Sequence, residues 1–253
     1  MSPVLEGGFL VVAGIVAGTV GAAGATASLV SYPALLLTGL PPLSASIANS
    51  VAGIAIGLGA VPASGPELAG TGGRRLWAWS GLVAVGAVLG AGLLLVTPAA
   101  VFAWAVPFLV LSGALTVLAA PALTRRRSRP GVGRPGAFGA GLFAVAVYTG
   151  YFGAGAGVML LALFLLTVET DLLRANALKN FLLTAGQGVM AVGFVLFGAV
   201  PWAAVLPLGA GFGIGGVIGP WVARRIPAER LRGLIGGGGI GLAVWLLVLA
   251  ARH

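Results

Sequence analysis

The sequence contains no cysteine, which removes disulfides, thiol nucleophiles and cysteine-based metal sites together. Its one histidine is His253, so no pair of imidazoles can hold a metal and none stands among the apolar segments as a base. Five carboxylates are spread over 253 residues, and the apolar spans offer no obvious pair of them for acid–base work. These absences leave no catalytic set and no metal site. Charge is scarce as well. Only 8% of residues are charged, against about 25% in ordinary soluble domains. So few charges cannot cover a soluble surface. Disorder is excluded too, because it needs low hydrophobicity and high charge. With 59% apolar residues and a mean hydropathy of +1.10, the class that remains is all-α: a polytopic membrane protein.

The net charge of +9 would suit a nucleic-acid partner if the basic residues formed a stripe. They do not. Thirteen of the 14 are arginine, in short clusters between apolar runs: Arg74 and Arg75; Arg125, Arg126, Arg127, Arg129 and Arg134; Arg224, Arg225, Arg230 and Arg232. Such clusters mark cytoplasmic loops that set topology and can meet anionic lipid heads. The partner they indicate is the lipid bilayer of the cell membrane, with no nucleic acid. At the N-terminus, Ala25-Thr26-Ala27 resembles a cleavage site after an apolar run. The leading residues carry Glu6 and no Lys or Arg, so the run reads as a retained membrane segment.

Ten apolar segments can be drawn, over 8–25, 26–40, 43–63, 76–96, 99–120, 137–155, 156–168, 173–199, 202–223 and 231–251. The second and seventh are too short for a bilayer about 30 Å thick at about 1.5 Å per residue. They are expected to be re-entrant or halves of broken helices. A degenerate internal repeat accounts for both. Gly18-Thr19-Val20-Gly21-Ala22-Ala23-Gly24 corresponds to Gly150-Tyr151-Phe152-Gly153-Ala154-Gly155-Ala156. Ala48-Asn49-Ser50 corresponds to Leu178-Lys179-Asn180, and Gly59-Ala60-Val61-Pro62 to Gly198-Ala199-Val200-Pro201. The expected organisation is a first membrane repeat over 1–120, an Arg-rich cytoplasmic linker over 121–136 and a second membrane repeat over 137–253. Five segments per repeat invert the second half relative to the first.

Paired broken segments at matching places in two halves point to a transporter site. Half-helix N-termini there present N–H groups to an anion. The expected substrate-binding set therefore starts with Gly21, Gly24, Gly153 and Gly155 at the breaks and Ser28 on the first short segment. Lys179, the only lysine, lies within segment eight, where an ionisable side chain is costly and usually functional. The alternative is that it snorkels to the interface beside Arg174. Asn49, Ser50, Asn176, Asn180 and Gln187 are the neighbouring polar groups, which can bind an anion or link helices across the bundle. Arg174 would guide anions at the mouth. Glu169 and Asp171 could relay protons or pair with Arg174 at the interface, and their place in a water-exposed turn favours pairing. Gly211, Gly213 and Gly216 form a G-x-G-x-x-G string, but in a membrane helix this reads as close packing rather than dinucleotide binding. Trp77, Trp79, Trp202 and Trp221 read as interfacial anchors.

Gly39-Leu40-Pro41-Pro42 leading into Ala48-Asn49-Ser50, with Gly150-Tyr151-Phe152-Gly153-Ala154-Gly155 followed by Asp171-Leu172-Leu173-Arg174-Ala175-Asn176-Ala177, resembles the TauE/SafE sulfite exporter family of membrane permeases. The resemblance covers nearly the whole chain. It implies transport of a small sulfur-containing anion such as sulfite or an organosulfonate. Leu178-Lys179-Asn180 departs from the small or hydroxyl residues expected before that lysine in relatives.

The resulting expectation is a secondary transporter of a small anionic substrate, with no cofactor. No nucleotide-binding motif is present, so the energy must come from an ion gradient, the membrane potential or the substrate gradient. A proton as coupling ion and an oligomeric assembly both stay open. An anion channel or a non-transporting membrane assembly protein would share the fold class. An enzyme would need a nucleophile with a base in the spans, and the spans offer none. The even number of segments between Arg clusters places both termini outside the cytoplasm. In this cysteine-free chain, single cysteines engineered near Thr97 and His253 should react with an impermeant reagent added outside, and one near Ser128 should not. Labelling that places His253 in the cytoplasm would refute the inverted arrangement.

Overall fold

The structure, a computed structural model, describes residues 3–24, 26–69, 71–125, 135–169 and 171–225. The expected tenth segment, 231–251, and most of the Arg125–Arg134 cluster lie outside the described residues. Every described element is helical: α1 (Pro3–Ala22), α2 (Ser28–Leu37), α3 (Pro42–Ala63), the single turn α4 (Gly65–Leu68), α5 (Gly73–Val96), α6 (Ala99–Arg125), α7 (Pro135–Tyr151), α8 (Ala156–Thr167), α9 (Leu172–Phe197) and α10 (Trp202–Ala223). Helices dominate because hydrocarbon offers no partner for backbone N–H and C=O groups, and a helix satisfies them within the segment. Five of them, α1, α3, α5, α9 and α10, are long and apolar enough to cross a membrane. The chain is a multi-pass membrane protein. The two short segments are α2, with 10 residues, and α8, with 12.

Close contacts fix the helix directions. Gly14 of α1 packs on Leu208 and Gly211 of α10, Gly18 on Phe212 and Gly215, and Ala22 on Gly219. These two helices therefore run parallel. Ala52 of α3 meets Gly209, and Gly59 meets Val217, so α3 also runs parallel to α10. On the other side, Gly86 of α5 packs on Ala146 of α7 and Gly90 on Gly150, again parallel. Gly186 of α9 sits against Val83 and Ala87 of α5. Across the centre α3 and α9 are antiparallel, with Gly53 opposite Gln187 and Gly57 opposite Thr184.

The short helices double back. α8 runs against α7, because Leu163 packs on Gly141 and the Phe164 ring lies 5.7 Å from Phe138. Its far end therefore returns to the end of the bundle at which α7 begins. α2 runs against α1 toward the start of α3, where the Tyr32 hydroxyl donates to the Pro42 carbonyl at 3.4 Å. The starts of α5, α7 and α9 and the ends of α3, α8 and α10 share one end of the bundle. Arg74, Arg75, Arg174, Arg224 and Arg225 collect there. Arg224 ties that end together, donating to Glu67 at 2.6 Å and to the Ala63 carbonyl at 3.1 Å. Among the described residues, Glu6 is the charged group at the opposite end.

Trp77, Trp202 and Trp221 are exposed, as interfacial rings should be. Trp79 is not an anchor of that kind. Two residues along a helix is about 200° of rotation, so when Trp77 faces outward Trp79 faces inward, where its ring meets Phe138 at 5.1 Å and Phe164 at 5.5 Å.

The glycine string of α10 is packing surface. A Cβ on Gly18 would lie 2.8 Å from the Phe212 carbonyl oxygen, and one on Gly14 would lie 3.0 Å from the Gly211 Cα. With no hydrophobic force between helices in lipid, such close backbone approach supplies the dispersion contact that holds them. Gly211→Leu should therefore destabilise the purified protein by about 1–3 kcal/mol or more, the usual effect of overfilling a packed interface. Gly92→Leu should leave stability unchanged, because Gly92 is exposed with no atom near its Cβ position. Thermal melting monitored by size exclusion in detergent checks both.

Candidate functional site

α1 stops short of the Arg-rich end, and its last carbonyls need partners that no next turn provides. α9 supplies them. Asn176, Lys179 and Asn180, at i, i+3 and i+4, share one face of that helix. The Asn176 and Asn180 amides donate to the Ala22 carbonyl at 2.8 Å and 3.1 Å, and Lys179 Nζ donates to the Gly21 carbonyl at 2.7 Å. Lys179 has 0% exposure and sits at the negative end of the α1 dipole, which favours a cation. The chain then turns through Gly24 at φ +114°, a conformation that L side chains rarely adopt, beside the Asn176 side chain.

The second break is built on backbone and hydroxyl groups. α7 ends at Tyr151, and Gly155 at φ +81° caps α8. Any side chain on Gly155 would strike the backbone of Gly113 in α6. The Tyr148 hydroxyl donates to the Ala154 carbonyl at 2.6 Å. The two breaks meet, since Ser28 Oγ donates to the Gly153 carbonyl at 3.4 Å.

Between the breaks lies a cavity of about 70 Å³. A water needs roughly 10–15 Å³ on that measure, so an oxyanion of four or five heavy atoms fits. Of the residues expected at a substrate site, Gly21, Ser28, Asn49, Ser50, Gly153 and Asn180 line it. Gly24, Gly155, Asn176 and Lys179 stand behind the wall and shape the breaks. Arg174 is elsewhere, at the Arg-rich end, where its Nε lies 3.2 Å from Glu169 and its Nη2 donates to Thr71 at 3.4 Å. With Arg75 it lines a separate recess of about 120 Å³. Asp171 accepts from the Arg174 backbone N–H at 2.8 Å and caps α9.

Gln187, a polar group expected near Lys179, lines the cavity as well, together with Thr26, Thr149 and Thr184, which carried no expected role. The helical period could have found one of these three, because Thr184 follows Asn180 at i+4 on the face of α9 that carries Gln187 at i+7. Nothing in the sequence marks Thr149, one turn before Gly153 on α7. Ser31 Oγ donates to Asn49 Oδ1 in a short hydrogen bond, and Thr184 Oγ1 donates to the Asn180 carbonyl at 2.6 Å. Thr26 Oγ1 is buried without a protein partner among the described residues. Among the described residues, no charged side chain lines the cavity. Its chemistry is that of hydroxyls, amides and the first turns of α2 and α8, which enter the wall at Ser28 and Ala156.

The family profile described as "Sulfite exporter TauE/SafE" matches residues 9–246. The "Probable membrane transporter protein ORF9" of Sinorhizobium sp is 30% identical over 241 residues, covering 94% of this chain and 91% of that protein. No solved structure matches the chain. The match runs from α1 through both breaks to beyond α10, and the chain therefore belongs to the TauE/SafE sulfite exporter family of membrane transporters.

Proposed function

We propose that the protein is a secondary transporter that moves a small sulfur-containing oxyanion, sulfite or an organosulfonate, by alternating access at the cavity between the two breaks. The observation that carries this is the convergence of two short helices, α2 and α8, on one buried polar cavity of oxyanion size. Helix N-termini carry partial positive charge and unpaired N–H groups, so dipoles can bind an anion where no cation lines the wall. Ser28, Asn49, Ser50, Asn180 and Gln187 would add hydrogen bonds to its oxygens. Gly24, Gly155, Asn176 and Lys179 would hold the two breaks in shape, and Arg174 would draw anions to the Arg-rich end. The family membership and the curated relative support transport.

The same reading takes 1–120 and 137–253 as inverted repeats joined by the 121–136 linker. Its support is directional. α1 turns back through α2 from one end of the bundle, and α7 turns back through α8 from the other. α1 packs on α2 as α7 packs on α8, and α1 runs beside α10 as α7 runs beside α5, the pairing that two inverted halves require. By the positive-inside rule the Arg-rich end faces the cytoplasm.

Counterflow of labelled sulfite in proteoliposomes tests the proposal. Ser50→Leu and Gln187→Leu should each reduce it by about tenfold or more, since each fills the cavity and removes a donor of roughly 1.5–3 kcal/mol to a charged ligand. Arg174→Gln should raise the half-saturating concentration a few-fold and change the maximal rate less, the signature of a steering charge. Wild-type counterflow in both cavity variants would move the substrate site elsewhere.

A further inference from the structure

Lys179 is ionisable and buried, and it forms no ion pair with a described carboxylate. The described carboxylates are Glu6 at the far end of α1, Glu67 in α4, and Glu169 and Asp171 around the start of α9. Elements packed against α9 are α3, α4, α5, α7 and α8. Their titratable side chains are Glu67, Arg74, Arg75, Tyr148 and Tyr151, and α3 and α8 have none. The packed face of α1 brings only backbone to Nζ, whose hydrogen-bond partner among the described residues is the Gly21 carbonyl. A free alkali cation would take the same place, since helix-end carbonyls coordinate cations at broken membrane helices. Here the positive charge is tethered to the chain, and it can be removed only by loss of a proton.

The wall supplies the link to substrate. Gly21 both accepts from Lys179 and lines the cavity, and Asn180 both donates to Ala22 and lines the cavity. A change in charge at Nζ therefore acts on the cavity through one residue on each side. An ammonium without a counter-ion is costly at this depth, and an anion in the cavity offsets that cost.

We propose that Lys179 is the proton-coupling group of the transporter, loading one proton together with the anion and releasing it when the anion leaves. This rests on the transport reading above. The amine takes up a proton from one aqueous phase to become an ammonium, and gives it up to the other. The ammonium strengthens anion binding, and by reciprocity the anion strengthens proton binding by the same factor. Proton and anion then move in the same direction.

The test uses purified full-length protein in proteoliposomes, with labelled sulfite and the membrane potential clamped at zero. Sulfite carries protons of its own, so wild type and variant are compared in the same buffers. An alkaline interior should raise sulfite accumulation by wild type. Lys179→Arg keeps the cation but cannot release a proton. Whatever counterflow it retains should no longer respond to the pH gradient, and if it retains none the resonance measurement below decides. Absent wild-type counterflow would remove the transport reading and this inference with it. Wild-type counterflow that ignores the pH gradient, or a variant that follows it like wild type, would overturn the inference alone. Should Lys179→Arg fail to fold, the sole lysine still allows a direct measurement on wild type. With ¹⁵N-lysine, its Nζ resonance should pass from ammonium to amine within the pH range of transport and shift when sulfite is added. A resonance that stays ammonium throughout, with and without sulfite, would refute the role.

Discussion

A helix that ends inside a bilayer must hand its last carbonyls to another element, because no water is there to take them. In this protein that hand-over is made by three residues on one face of α9. Asn176, Lys179 and Asn180 receive the Gly21 and Ala22 carbonyls, and the rest of the site follows from it. α1 can stop at Ala22 and turn through Gly24, so α2 can begin beside Gly153. Without those donors α1 would have to continue toward the interface, and no cavity would form between the breaks. The second break solves the same problem by different means, with Tyr148, Ser28 and a left-handed glycine in place of an ammonium. The two breaks thus meet the same demand while differing in charge.

The glycine content serves this layout twice. Along α1 and α10 and along α5 and α7, missing side chains let backbones touch, and a flat contact of that kind stabilises helices that lipid alone would not drive together. These paired helices form the frame on which the breaks sit. At the breaks, glycine serves conformation. Gly24 and Gly155 take φ values closed to other residues, and Gly155 also admits the backbone of Gly113. A glycine count cannot separate the two uses. Position relative to the short segments does, because only the breaks coincide with helices too short to span.

The helices were largely legible in the sequence, since the bilayer imposes a length on them: the apolar runs at 43–63 and 202–223 coincide with α3 and α10. The two short segments stood out for the same reason. Where side chains point was less legible. Trp77 and Trp79 look alike in sequence, yet one faces outward and the other packs on Phe138 and Phe164. Lys179 shows the limit most clearly. A lone intramembrane lysine near an anion site suggests a ligand or a snorkelling tail, and it is neither exposed nor in the cavity wall. A helix end formed 158 residues away recruits it, and no local pattern records that contact. The polar lining from Thr149 was hidden likewise, because threonine in a membrane helix more often bonds its own preceding turn, as Thr149 does with Val145.

Among the described residues the cavity wall is uncharged, and this bears on how a carrier in this family could work. A carrier must bind its substrate well enough to select it and loosely enough to release it on the other side. An arginine fork on a sulfur oxyanion in a low-dielectric cavity would hold it with strong, bidentate hydrogen bonds, and release would then be slow. Helix N-termini, hydroxyls and amides offer many weaker donors, each modest and together enough to orient three oxygens. In the proposed mechanism the strong charge stands one residue behind the wall, on a group whose charge can change. Binding strength then becomes adjustable: tight while Lys179 is protonated and weak once the proton has left. The arginines stay at the bundle end, where water screens them and where attraction speeds encounter without holding the substrate. Selectivity, release and recruitment are thereby assigned to different residues, which lets a small cavity with neutral walls serve a charged cargo.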